Sequence, residues 1–539
     1  MDEVGLQQEW PQRLLYVPSM ISLEREEGNK YGQYIEPAYS ILSYTWGRWE
    51  LPEGNAALKV GGINWRVPTI DERHFSVAQL EKAIWRISSG RDSENSSQLI
   101  HFVWIDIACI DQENEALKAT EIGRQAAIFK NATHAYIWLS HLDDNEMQQC
   151  DTTLFDTNMI LSPHFEGNGT EPEDLESWNA SFREVSETLY RDPWFTSLWT
   201  LQEMFLRPDA EILTQDANLI ERKGGNGSTL GLSNLIINYT TVYKALCDSS
   251  SSNELSSPKE NSELLELVEK LGLYWGQWEN PMLLLIAARY RQTRNPKDRI
   301  YGIMQVYDLK LGVSSQPDRD FTVEDLQFQL ASAHNAQSAI NAQMFIHTQA
   351  VQLGRCWRMQ SESRIPHDLE FTELGRKSLC KISIEETRLP IYQGKACSLS
   401  TLSELWQSGS SGSDVASRHS EDKYSEEMLQ DVLLDLPERV ELEAWAGLNN
   451  HSMELSRKTE LVRLLVMSAS HNIQVLLLGK LIDGIDEDID MLAGLMVRRR
   501  FLGTVECWQR IGICLWAEQS ELSQEEVVPH WRPFMGHLG

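Results

Sequence analysis

The stretch that decides the fold runs from His101 to Leu139, HFVWIDIACIDQENEALKATEIGRQAAIFKNATHAYIWL. Ile100 to Ile107 is a nearly unbroken apolar run with β-branched and aromatic residues. Such a run reads as a strand buried on both faces, as a parallel sheet requires. Asp111 can then accept hydrogen bonds from the free amides of a starting helix, with Gln112 and Glu113 in its first turn. Ala119, Ile122, Ala126 and Phe129 follow at spacings of three, four and three, which puts them on one helical face. Ala135 to Leu139 is a second apolar strand. Strand, helix and strand within about forty residues predict a right-handed parallel crossover, and with it an α/β fold.

A chain of 539 residues is too long for one hydrophobic core and implies two or three domains. Eighteen Trp spread along most of it point to aromatic-rich cores and against disorder. A net charge of −31 argues against nucleic acid, which needs clustered Lys and Arg. The eight Cys form no C-x-x-C pair and no zinc spacing, so they read as reduced, mostly buried thiols of an intracellular protein. The acidic start MDEVGLQQEW is no signal peptide, and no apolar run reaches the ~18 residues of a membrane span. The expectation is a cytoplasmic protein.

Outward from the central stretch, Arg13–Val17 and Tyr39–Trp46 read as strands, the second stopped by Gly47. Leu58–Val60 and Ile63–Val67 suggest a hairpin about Gly61-Gly62. Helix is expected over 76–87 and surface loop over 88–97. A long polar loop is expected over 141–175, with helix from 175 to 190. Asp192-Pro193 breaks that helix, and a new one spans 197–205. Ser249–Asn261 is Ser-rich and marks an internal linker. Helices are expected at 262–272, 280–292, 298–307 and 323–350, and later at 457–469 and 486–499. Residues 407–421 are of low complexity, and Ile511–Trp516 reads as a late strand.

Three clusters carry polar groups where ligands bind in open α/β sheets, outside the carboxyl ends of strands. They are Leu42-Ser43-Tyr44-Thr45-Trp46-Gly47; Trp104-Ile105-Asp106 with Cys109-Ile110-Asp111-Gln112; and Trp194-Phe195 with Trp199-Thr200-Leu201-Gln202-Glu203. Their tryptophans also suit simple packing, Asp111 suits a helix cap, and Glu203 suits a buried structural hydrogen bond or a solvated face. Ser43 and Cys109 have no adjacent His and read as structural. Gly225-x-Gly227-x-x-x-Gly231 lacks a leading strand and reads as a turn, and none of the thirteen His is given a role.

The three clusters resemble, in order, the motifs of the fungal heterokaryon-incompatibility (HET) domain: L-S-Y-x-W-G, W-I-D-x-x-C-I-[DN]-Q and W-F-x-R-x-W-x-x-Q-E. Arg294-Asn295-Pro296-Lys297-Asp298-Arg299-Ile300-Tyr301-Gly302 resembles a further motif of these proteins, and Pro317-Asp318 with Phe321 a remnant of the next. The resemblance covers residues 36–325. Ser197 stands where the family has Arg, and Leu117 where a Glu is expected, so an anion-binding role for that Arg does not carry over. The resemblance implies an effector of non-self recognition and programmed cell death in fungi. It also implies remote kinship with TIR domains, flavodoxin-like modules of which some cleave NAD with a Glu four residues after a Trp. Trp199 and Glu203 have that spacing. On this analogy Glu203 is the catalytic carboxylate, Trp199 walls its pocket, and Tyr44, Trp46, Asp106 and Asp111 bind the substrate.

The expected organisation is therefore a TIR/flavodoxin-like parallel sheet with flanking helices over 1–210, a helical extension over 211–325, and a mixed α+β region of unknown role over 326–539. NAD or a related nucleotide and protein partners or self-association are the expected partners. No cofactor, metal, nucleic acid or membrane span is called for. The rival expectation is a non-enzymatic interaction module that works by assembly.

Overall fold

The computed structural model describes residues 10–52, 57–89, 100–165, 172–225, 227–252, 258–274, 282–316, 319–366, 375–384, 389–410, 430–445, 462, 464–467, 473–482, 490–517 and 530–539. The chain forms two compact units, Met1–Glu279 with Ala287–Val323, and Asn280–Ile286 with Glu324–Gly539.

The first unit is built on a mixed sheet. Its strands are β1 (Arg13–Tyr16), β2 (Ile21–Glu26), β3 (Lys30–Tyr31), β4 (Tyr34–Ile35) and β5 (Tyr39–Ser43), then β8 (Phe102–Trp104), β9 (His134–Trp138) and β10 (Glu211–Leu213). Two short strands, β6 (Glu50–Leu51) and β7 (Thr69–Ile70), pair apart from it. The spatial order is β10-β9-β5-β8-β1-β2-β3-β4. β8, β5, β9 and β10 are mutually parallel, and β1 to β4 continue the sheet antiparallel beyond β8. Taken in chain order the four parallel strands lie as second, first, third and fourth, so the order reverses at β5. Every residue of β5 is buried, which is why the run YSIL reads apolar on both sides of the pleat. The outer side of β10 carries antiparallel bridges to the following segment, Leu213 to Leu219 and Glu211 to Gly231.

The helices of this unit are α1 (Val77–Ser88), α2 (Asp106–Cys109), α3 (Glu115–Ile122), α4 (Gln125–Asn131), α5 (Asp144–Phe165), α6 (Pro172–Arg191), α7 (Leu198–Leu206), α8 (Leu232–Ser252) and α9 (Pro258–Leu271). α1 starts on a reciprocal cap, Ser76 bonding the Gln79 amide while the Gln79 side chain bonds the Ser76 amide.

The central crossover exists, but its helix comes in three pieces. Asn114, not Asp111, caps α3, accepting from the Ala116 and Leu117 amides. The expected single face fails because the chain turns at Gly123: Ala119 is exposed, Ile122 half-buried, and only Ala126 and Phe129 enter the core. No hairpin forms about Gly61-Gly62; Gly61 instead bridges Ile21. The loop expected over 141–175 is largely helix, α5 and the start of α6. The Ser249–Asn261 linker is no boundary, since α8 and α9 both belong to the first unit. Of the loop expected over 88–97, residues 90–97 lie outside the described residues.

In the second unit β12 (Lys381–Ile384), β13 (Pro390–Ser398), β15 (Ile473–Ile482), β16 (Asp490–Leu502), β17 (Val505–Ala517) and β14 (Gln430–Leu434) form one antiparallel path. β11 (Gly375–Ser378) pairs with β15, and β18 (Arg532–His537) with β13. Of the helix expected over 486–499, residues 490–499 lie in strand β16; Leu492 to Val497 are all buried, and β15 and β17 flank that strand on its two edges. The late strand at 511–516 lies within β17. The helix expected over 323–350 ends at Gln337, where Ser338 caps a separate turn, Ala339–Gln343. The low-complexity stretch 411–421 and most of 457–469 lie outside the described residues. All eight cysteines are free thiols, six of them buried.

Candidate functional site

Four segments meet at the carboxyl ends of β5 and β8. Ser43 ends β5, and Tyr44 and Trp46 follow as the chain leaves the sheet. Asp106 opens α2 one residue past the extended Ile105 that follows β8. Gln125 opens α4. Trp194 stands in the 3-10 turn Pro193–Thr196, and Glu203 on α7, which that turn delivers.

Glu203 points inward. Its Oε2 accepts a short hydrogen bond from Ser43 Oγ, and its Oε1 accepts from Gln125 Nε2 at 3.3 Å. Trp194 Nε1 donates to Ser43 Oγ at 2.7 Å, which fixes the hydroxyl proton toward the glutamate. Burial raises the Glu203 pKa to about 8; the Ser43 hydroxyl opposes that shift and the nearby Asp106 charge adds to it. That shift favours the protonated form of the carboxyl near neutral pH. Asp106 is also raised by burial, against hydrogen bonds from Trp46, Tyr44 and the Ile107 amide. Tyr44 OH donates to Asp106 Oδ1 at 2.8 Å and Trp46 Nε1 to Oδ2 at 2.5 Å. Two carboxyl groups with weakened acidity thus lie close enough to feel each other's charge, an arrangement that can hold or transfer a proton.

Of the residues proposed from sequence, the fold brings Tyr44, Trp46, Asp106 and Glu203 together. Asp111 closes its own turn, accepting from the Glu113 and Asn114 amides at 3.0 and 2.9 Å. Trp199 faces the helix Asp298–Met304: its ring packs on Gly302, and its indole hydrogen-bonds Asp298. The indole linked to Glu203, by way of Ser43, is that of Trp194.

Ser43 and Gln125 were not legible as partners. Ser43 read as structural for want of an adjacent His, and Gln125 was not singled out. A second cluster was missed altogether. His74 Nε2 donates to the Thr45 carbonyl, which can only accept, so in the neutral ring Nδ1 is the acceptor for His141 Nε2 at 3.0 Å. Burial lowers the His74 pKa to about 4 and lowers that of His141 too. Trp49 stacks on His74 with ring centres 3.8 Å apart. Asp192, raised by burial to about 7, accepts from the His141 and Trp194 amides at 2.9 Å each and so joins the two clusters. Arg48, next to Gly47, donates to Thr196 Oγ1 at 3.0 Å and ties the first motif to the third. The one available signal was position: Arg48 adjoins the first motif, and Asp192 stands two residues before the third.

Among the described residues no group of three or more His, Cys, Asp or Glu side chains is placed to hold a metal ion. Among them, too, no helix is long and apolar enough to cross a membrane.

Residues 39–203 match the sequence model of the family described as heterokaryon incompatibility protein (HET), which supports a HET domain in that stretch. The matched stretch opens on the first residue of β5 and closes on Glu203, so it contains every residue of the carboxyl cluster. Vegetative incompatibility protein HET-E-1 of Podospora anserina is 24% identical over 199 residues, covering 34% of this chain and 11% of that protein. The chain thus corresponds to a small part of that relative. No solved structure matches.

Proposed function

We propose that this chain is an incompatibility effector that hydrolyses NAD or a related nucleotide, acting in the fungal cytoplasm in non-self recognition and programmed cell death. In this reading residues 1–210 are a HET domain of TIR/flavodoxin-like build, residues 211–325 are its helical extension, and self-association or partner proteins switch it on. The reversal of strand order at β5 is consistent with that build and marks where a ligand crevice belongs. The observation that carries the reading is Glu203, an inward carboxyl beside Asp106, with its pKa raised to about 8.

The chemistry follows from charge. The nicotinamide–ribose bond of NAD joins the sugar to a cationic ring. A cation seated beside Glu203 and Asp106 favours ionisation of both, so the substrate itself generates the carboxylate. As the bond breaks, its electron pair leaves with neutral nicotinamide and positive charge grows on the ribose; the Glu203 carboxylate stabilises or attacks it, and water then adds to the same carbon with loss of a proton. Ser43 and Gln125 hold the carboxylate in place. Tyr44, Trp46 and Asp106 lie beside it as ribose-binding groups.

The second reading is an interaction module without catalysis. One observation favours it: both Asp106 oxygens and both Glu203 oxygens already accept hydrogen bonds from within the fold, as a structural clamp would require. The purified full chain incubated with NAD, with nicotinamide release read by chromatography, separates the two. The enzyme reading expects release that falls about 100-fold or more in Glu203→Gln. Toxicity of that variant equal to wild type, with cellular NAD unchanged, would sink the enzyme reading and leave the module.

A further inference from the structure

The second unit carries a half-open cavity of about 390 Å³, within the size range of small-molecule sites. One part of its wall is apolar: Phe328 and Trp357, packed edge to face, with Leu389 and the hairpin-tip residues Leu502 and Val505. The other part is charged. Arg358, only 5% exposed, and Arg355 both pair with one oxygen of Glu324, at 3.3 and 2.6 Å. That carboxylate is half exposed, and among the described residues it is the only acidic side chain lining a cavity with two guanidinium groups. His537 also lines the cavity, and its Nδ1 is buried without a hydrogen-bond partner among the described residues.

The balance of charge is what points to a ligand. In a chain of net charge −31, this one cavity wall carries an excess of cations. The Arg358 guanidinium is buried and that of Arg355 nearly half exposed, and one oxygen of a half-exposed carboxylate is a poor match for two such forks. Glu324 can rotate into water and leave both arginines to a better-fitting anion. The apolar wall then covers whatever body that anion carries.

We propose that this cavity is a binding site for a small organic acid, its flat apolar body against Trp357 and Leu389 and its anionic group on Arg355 and Arg358 in place of Glu324. The site is independent of the carboxyl cluster in the first unit.

Calorimetric titration of the full chain with 2-naphthoate, 2-naphthyl phosphate and neutral 2-naphthamide tests the assignment. Naphthoate is expected to saturate one site, with naphthamide and the Arg358→Gln variant each weaker by about tenfold or more. Glu324→Gln removes the internal competitor, so it is expected to tighten naphthoate binding several-fold, an effect no structural role for that residue produces. Val505→Trp, at the exposed hairpin tip, is expected to block the site while leaving the fold intact, which guards against an Arg358 variant that fails to fold. Tighter binding of the phosphate than of the carboxylate supports the site and names phosphate as the anion. Equal affinity for naphthoate and naphthamide, no binding of any of the three at millimolar concentration, unchanged binding in Val505→Trp, or weaker binding in Glu324→Gln overturns the proposal.

Discussion

Replacing Glu203 with Gln should make the protein more stable as pH rises, not less. The ordinary value of a glutamate, 4.5, rises to about 8 in this site, chiefly through burial. Between those values the folded chain keeps a proton that the unfolded chain has released. Stability from this group is thus full below pH 4.5 and is lost as pH rises through 8. Each pH unit in that window is worth about 1.4 kcal/mol, so by pH 7 the accumulated loss is on the order of 3 kcal/mol. The glutamine variant carries no such loss, keeps the side-chain shape, and can still accept from Ser43. The assay is the thermal midpoint of the full chain at pH 5, 6, 7 and 8, wild type against variant. Asp192, raised by burial to about 7, tilts both proteins in the same direction, so the difference between them isolates Glu203. The difference should be small at pH 5 and grow in favour of the variant by several degrees at pH 8, at roughly 2–4 °C per kcal/mol. A difference that stays constant across this range, or moves against the variant as pH rises, would refute the reasoning.

Other consequences are open to measurement. Asp106→Ala strips the acceptor from Tyr44 OH and Trp46 Nε1, two part-buried donors, and should destabilise the first unit by about 2–4 kcal/mol in urea melts, with Asp106→Asn recovering part of it. His74 titrates in the opposite sense to Glu203. Its pKa falls from 6.5 to about 4 on burial, so the unfolded chain takes up a proton first and stability drops as pH falls from 6.5 to 4, by on the order of 3 kcal/mol. His74→Phe should lose that acid-side slope in the same thermal scans. In the second unit, a Cβ on Gly479 would sit 2.2 Å from the Lys377 carbonyl at a strand irregularity. Gly479→Val should therefore part β11 from β15 at a cost of about 2 kcal/mol or more, seen as faster amide exchange in those two strands.

The sequence placed the strand ends well and the partners poorly, for a physical reason. A run such as YSILS announces a buried strand because burial on both faces needs apolar residues at every position, and β5 follows that rule. Ser43 at its end has Glu203 as its partner, 160 residues away, and no local pattern encodes such a meeting. The tryptophans divide in the same way: Trp194 and Trp199 look alike in sequence, yet one faces Ser43 and the other Asp298. Helix α5 was hidden by composition. Its acidic residues suggested a loop, while Met147, Cys150, Leu154 and Leu161, all buried, kept helical spacing beneath them. Strand β16 failed for the opposite cause, because a run such as MLAGLMV is apolar throughout and has no period to tell a buried helix from a buried strand. Gly494 was the available hint: a Cβ there would lie 2.5 Å from Val475 Cγ1, so the neighbouring strand requires glycine.

The first unit's sheet is closed to extension at both margins. β4 offers a ladder of two residues, and the free side of β10 is occupied by bridges to Leu219 and Gly231. Unsatisfied strand margins recruit further strands and seed fibrous aggregates, and here there is almost no such margin to recruit with. Self-association of this unit is then expected to run through helices or loops, and removing the bridges that Leu219 and Gly231 make to β10 would bare a strand margin that can template further strands.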